Sequence, residues 1–155
     1  MKYIILSLLL IQFFSVKAQA PKYSNEFLHL GVGAQAFAMG NAVVASSEDV
    51  TAGYWNPAGL TSATEWLQVS AMHSEYFAGI AKYDYEGVSH SLGKKGVLGF
   101  TFLRFGVDDI PNTTQLIDND GRINYDNVTT FTAGDYAFMG SYAKALAVPG
   151  LSLGG

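Results

Sequence analysis

The sequence predicts an all-β, antiparallel fold of the membrane-barrel kind, and three features predict it. Residues 1–20 have the form of an export leader, and hydrophobic side chains recur at every second position from Trp66 onward. No later stretch offers the ~18 uninterrupted apolar residues of a membrane-crossing helix. Lipid offers the backbone no hydrogen bonds, so an exported chain lacking such a helix can re-enter a membrane only as a closed sheet. With 49% hydrophobic and 14% charged residues, the chain lies well outside the disordered range of composition. Its 17 glycines follow no fixed repeat, which excludes collagen-like structure and points to strands joined by tight turns. A net charge of -4 with dispersed basic residues argues against nucleic acid as a partner. The absence of cysteine excludes a disulfide framework and a thiolate metal site.

The leader reading rests on Lys2, on the apolar run Tyr3 to Phe14 broken only by Ser7 and Gln12, and on the small-x-small site Ala18-Gln19-Ala20. The run is shorter than the ~20 residues of a bilayer span, and no basic stop-transfer cluster follows it. Residues 1–20 are therefore expected to be a cleaved signal peptide, with the mature chain starting at Pro21 outside the cytoplasm. Pro21 to Leu30 reads as a tether.

Residues 21–65 form the first unit of the mature chain. From Gly31 to Leu60 the only charges are Glu48 and Asp49, and glycine and alanine dominate. Ala34 to Val44 is predicted as a short helix with Phe37 on one side, weakened by Gly33 and Gly40, each worth up to ~1 kcal/mol in a helix interior. Ser46 to Asp49 offers a helix N-cap with acids in the following turn. Trp55-Asn56-Pro57-Ala58-Gly59-Leu60 predicts a chain reversal: Pro57 forces Asn56 out of the right-handed helical region, and Gly59 permits positive φ. Such pieces are expected to pack within a wall supplied by other residues.

Residues 66–155 supply that wall. Leu67, Val69 and Ala71 alternate with Gln68, Ser70 and Met72. A second strand is predicted over Tyr76 to Tyr85 with a continuation to Leu92, in which Tyr83, Tyr85, Gly87 and Ser89 alternate with Asp84, Glu86, Val88 and His90, and where one strand ends and the next begins is not marked. Gly93-Lys94-Lys95-Gly96 predicts a hairpin turn. On Val97 to Gly106, Leu98, Phe100, Phe102 and Arg104 share one face against Gly99 and Thr101, the pattern of a barrel wall with lipid outside. A soluble sandwich produces similar alternation. Val107 to Thr130, with Pro111, Asn112, Asp118, Asp120 and Arg122, reads as a long polar loop of functional size. Thr132 to Lys144 resumes the alternation with Tyr136, Phe138 and Tyr142, Pro149-Gly150 turns the chain, and Leu151 to Leu153 starts another strand. About five strands fall short of the ~8 of the smallest bacterial barrels, so these residues are expected to be the N-terminal part of a longer protein.

Catalytic and ligand signatures are weak. Gly31-Val32-Gly33-Ala34-Gln35-Ala36 formally fits a dinucleotide fingerprint, but Glu48 and Asp49 come too early for its acidic residue, and close packing is the expected use of these glycines. Asp118-x-Asp120-Gly121 lacks the third ligand and terminal Glu of a calcium loop and reads as turn chemistry. His29, His73 and His90 have no metal-ligand spacing, and no Ser-His-Asp set can be assembled. Asn112-Thr113-Thr114 and Asn127-Val128-Thr129 match the glycosylation pattern, which matters only in a eukaryotic secretory pathway. No enzyme activity, cofactor or metal is expected.

The string NEFLHLGVGAQAFAMGNAVVASSEDVTAGYWNPAGL, with the later FTAGDYAFMGSYAKAL, resembles the PorV/PorQ family of outer-membrane proteins from Bacteroidetes-type bacteria, relatives of the FadL fatty acid transporters. Gln35 stands where that family usually carries a basic residue. The resemblance implies a FadL-like antiparallel barrel in the cell outer membrane. It also implies a lumenal N-terminal hatch, whose motif here is Gly33, Gly40, Trp55, Asn56, Pro57, Ala58 and Gly59. The implied function is a non-catalytic component of type IX secretion that docks or shuttles exported cargo, with membrane lipid, the translocon and cargo as partners and the Val107 to Thr130 loop as docking surface. The alternative it implies is a channel for long-chain fatty acids or other hydrophobic compounds. A soluble periplasmic or surface β-domain is the third reading.

Overall fold

The structure, a computed structural model, describes residues 25–118 and 120–155, so the expected signal peptide lies outside the described residues. Five strands, β1 (Leu67–Tyr76), β2 (Ala81–Ser91), β3 (Val97–Asn112), β4 (Thr129–Ala145) and β5 (Ser152–Gly154), form one open antiparallel sheet in sequence order. The fold is thus all-β with a few short helical turns before it.

Register converts the sequence alternation into two faces. Val69 pairs with Val88 and Val88 with Phe100, and Phe102 pairs with Phe138, so large apolar residues of successive strands line up in rows. The alternate set, which includes Tyr83, Tyr85, Thr101 and Leu103, is buried beneath the N-terminal segment. The first face is open: Val69 is 72% and Phe138 68% exposed, with Leu98, Phe100 and Tyr142 close to half exposed.

The unmarked boundary between the first two strands falls at Phe77 to Ile80. Phe77 and Ala78 take left-handed φ of 54° and 56° before Gly79 at 86°. Left-handed backbone costs a non-glycine residue about 1–2 kcal/mol, so Phe-Ala gives no turn signal, and the pairing of the two strands imposes the turn. At the other end Gly93–Lys95 turns as expected, with Gly93 and Gly96 at positive φ.

The predicted Val107 to Thr130 loop is shorter than expected. Pairing of β3 with β4 breaks between Val107 and Ile110 and then resumes, with Ile110 opposite Phe131, Pro111 opposite Thr130 and Asn112 opposite Thr129. The interruption is a bulge at Asp108-Asp109, where Asp109 adopts φ 56°, a conformation aspartate tolerates. Pro111 and Asn112 are therefore strand residues. Proline is accepted there because β2 pairs with β3 only as far as Val107, which leaves Pro111 on an edge. The connection is 113–128.

Before the sheet, the chain makes a 3-10 turn (Glu26–His29), helix α1 (Ala34–Ala38), helix α2 (Ala52–Trp55) and a second 3-10 turn (Pro57–Ser62). The helix expected over Ala34 to Val44 stops at Ala38, because Gly40 and Asn41 take φ of 60° and 65° and reverse the chain. Nor does Ser46 to Asp49 cap a helix. The Asp49 carboxylate accepts from the Thr51 amide at 2.8 Å and the Thr51 hydroxyl at 2.5 Å, and α2 begins only at Ala52.

Two buried clusters bind this segment to the sheet. Phe27 and Val32 join Tyr83, Tyr85 and Leu103, while Ala52 and Leu60 join Val97 and Ala143. A fully buried aliphatic side chain contributes about 1.5–3 kcal/mol, so Val32 and Leu60, both at 0% exposure, are principal anchors.

Candidate functional site

The Trp55 to Gly59 stretch is the hub of the N-terminal segment. Pro57 opens the 3-10 turn and holds Asn56 extended, at φ -160° and ψ 95°. That conformation ends α2 and turns the Asn56 side chain back, where its amide donates to the Val44 carbonyl at 3.1 Å. The indole N–H of Trp55 donates to the Val32 carbonyl at 3.0 Å. Two adjacent side chains thus tie down both ends of the lobe built on α1. Tyr54, edge-on to Trp55, donates its hydroxyl to the Leu28 carbonyl, and burial raises its phenol above the ordinary tyrosine range.

The glycines of the predicted motif serve different ends. Gly33 has φ 95° and donates its amide to the Met72 sulfur at 3.3 Å, while Gly40 has φ 60° and open space around it, so its role is conformational. Gly59 was expected to supply positive φ and does not: a Cβ there would collide with the Ser47 carbonyl oxygen, so its role is close approach. The Ala58 backbone lies against Gly154 of β5, where any side chain would meet it.

Sequence reasoning missed the landing surface. A Cβ on Gly53 would lie 3.2 Å from Ser141 Oγ and 3.4 Å from Thr101 Oγ1, and one on Gly99 would overlap Ser141 Oγ and reach 3.0 Å from Leu60 Cδ1. Thr61 and Ser152 hydroxyls share a 2.8 Å hydrogen bond. The available signal was a run of small residues on the inward-facing positions Gly87, Ser89, Gly99 and Ser141. Between α1, the Ser46 to Asp49 turn, Trp55 and Ser70 of β1 lies a cavity of about 470 Å³, where Val32, Ala36 and Val43 meet the polar side chains of Gln35, Glu48, Asp49 and Thr51.

The predicted loop residues are separated. Pro111 and Asn112 belong to β3, where the Asn112 side-chain oxygen accepts from the Thr114 amide and hydroxyl at 3.0 and 2.8 Å. At the tip of the connection Asp118 Oδ1 accepts from the amides of Asp120 (3.0 Å) and Arg122 (2.8 Å), with Gly121 at φ 77°. Asp118 therefore builds the turn, while Asp120 and Arg122 project into solvent. Among the described residues no three His, Asp or Glu side chains are grouped as metal ligands. His29, His73 and His90 sit on separate elements. Gly31 and Gly33 follow a 3-10 turn and precede a five-residue helix, which is not the strand–loop–helix setting of a dinucleotide site.

On the open face an ionic chain crosses three strands, which only the register could reveal. His73 Nδ1 meets Asp84 at 2.6 Å, Arg104 bridges Asp84 (3.4 Å) and Asp108 (2.6 Å), and Lys82 reaches Asp108 at 3.1 Å. It borders the apolar rows on the side of the 113–128 connection. No protein-family model, curated protein or solved structure matches the chain.

Proposed function

We propose that this chain is the plug and first wall of an outer-membrane β-barrel of PorV/PorQ type, a non-catalytic docking or shuttling component for exported proteins. The observation that carries the reading is the two-sided burial of the sheet. One face is packed with small and aromatic residues under an almost uncharged N-terminal segment. The other holds exposed rows of Leu, Val and Phe with a border of paired charges. A sheet in water buries its apolar face and wets the other; a barrel wall plugged within and bathed in lipid outside has this pattern. The docking role follows from the β3–β4 hairpin, which outruns β2 and ends in the 113–128 connection, while the opposite end has only the Gly93 to Gly96 and Val148 to Gly150 turns.

Exchange of residues 113–128 for a two-residue Asn-Gly turn in the full-length protein tests it. Surface attachment of exported cargo should fall while membrane assembly, followed by heat-modifiable migration in gels, persists. Unchanged attachment with intact assembly would overturn the docking role. The second reading, a channel for hydrophobic compounds, requires that the purified protein bind a fatty acid in competition with detergent, and the polar lining of the cavity beside Trp55, with Glu48 and Asp49, does not favour it.

A further inference from the structure

Large apolar side chains stand exposed at the tip of the β3–β4 hairpin. Ile117 and Ile123 face each other across an isolated antiparallel bridge at 67% and 63% exposure, and Tyr125 is 75% exposed. Directly opposed residues of such a bridge have Cβ atoms about 5 Å apart on one side of the ribbon, so the two isoleucines form a platform. The β1–β2 turn at the same end of the sheet adds Phe77 and Ile80, which are 75% and 63% exposed. A solvated turn gains nothing from isoleucine over threonine, so these residues call for a partner.

The charge around the platform is one-sided. Within the connection Asp118, Asp120 and Asp126 are opposed by Arg122 alone, and Asp109 at the bulge takes no part in the ion pairs among the described residues. Asp84 and Asp108, by contrast, are matched by Arg104 and Lys82. The far end of the sheet is basic, with Lys94 and Lys95 in its turn and Lys144 near the end of β4. An acidic rim is repelled by a phosphate-rich lipid surface, which leaves a protein segment as the occupant.

We propose that the hairpin tip docks a cationic amphipathic segment of an exported protein, its apolar side chains on Ile117, Ile123 and Tyr125 and its Lys or Arg residues opposite Asp109, Asp120 and Asp126. The proposal rests on the docking role above and names the partner's chemistry. It is tested with the full-length protein in nanodiscs and two labelled peptides of alternating pattern, Lys-Leu and Glu-Leu. The Lys-Leu peptide should bind about tenfold tighter or more, with an affinity that falls as salt rises. The triple variant D109N, D120N and D126N, which leaves the Asp118 turn intact, should erase the preference. I117S with I123S should weaken the Lys-Leu peptide without changing its salt dependence. Equal binding of the two peptides, a preference that survives the triple variant, or tip-dependent capture of anionic vesicles would overturn the proposal. The loop exchange separates the two ideas: lost cargo attachment without peptide preference defeats the cationic partner alone, whereas unaffected cargo attachment defeats the docking role and, even with a peptide preference, the exported-protein partner with it.

Discussion

Leu60→Ala should release the N-terminal segment from the sheet without unfolding the sheet. Leu60 is fully buried against Ala52, Val97 and Ala143, and its Cδ1 sits over Gly99. Truncation removes its isobutyl packing, and the short neighbours Ala52, Ala143 and Gly99 cannot close the gap. The cost should fall in the usual range for a buried leucine, about 3 kcal/mol. Because the strands keep their own hydrogen bonds, that loss should appear as local opening of residues 25–64. When reclosing outpaces cleavage, proteolysis tracks the open population, so 3 kcal/mol corresponds to about a hundredfold faster cutting of this segment. The assay is limited proteolysis of the full-length protein with Trp55 emission in a Trp66→Phe background, which removes the second tryptophan of these 155 residues. Cleavage within a factor of about two of wild type would mean that this contact does not hold the segment, and the anchoring argument would fail.

Three further outcomes are expected. Gly59→Val should destabilise the segment by more than Gly40→Ala at its unobstructed site, since only the former drives a side chain into the Ser47 carbonyl; chemical denaturation of the two variants compares them. Tyr54→Phe should cost about 1–3 kcal/mol in the same measurement, because the Leu28 carbonyl loses its donor in a partly buried place. Phe100→Arg should lower the folded yield in lipid vesicles by an amount equivalent to about 2–4 kcal/mol if its row faces lipid, and Phe100→Leu should not; equal yields would remove the membrane-facing assignment.

What could be read from the residues was what is local. The alternation Leu98, Phe100, Phe102 against Gly99 and Thr101 needs no partner strand to be seen, and Pro57 constrains Asn56 through a steric clash between neighbours in the chain. Contacts set by distant residues were not legible. Asp108-Asp109 and Pro111 each read as loop on their own, yet pairing with Thr129 to Phe131 makes them the bulged end of a strand. The Phe77-Ala78 turn is forced by the strands it joins. Gly59 looked like a backbone-conformation glycine because the Ser47 carbonyl that excludes its side chain comes from another loop. Of the candidate site, the residues Trp55 to Gly59 were recognisable, but Gly99, Ser141 and Gly154, against which that segment rests, carry no signature beyond their smallness.

The contact between Ala58 and Gly154, with the Thr61 to Ser152 hydrogen bond beside it, bears on the order of assembly. The N-terminal segment leaves the ribosome before β1 to β5, yet one side of its seat is built from residues some ninety positions later. Such a contact requires a long loop to close first, so it forms late. The segment is therefore made without its docking surface and settles only after the fifth strand has joined the sheet. Anything that binds the unseated segment in that interval would delay completion of the whole protein.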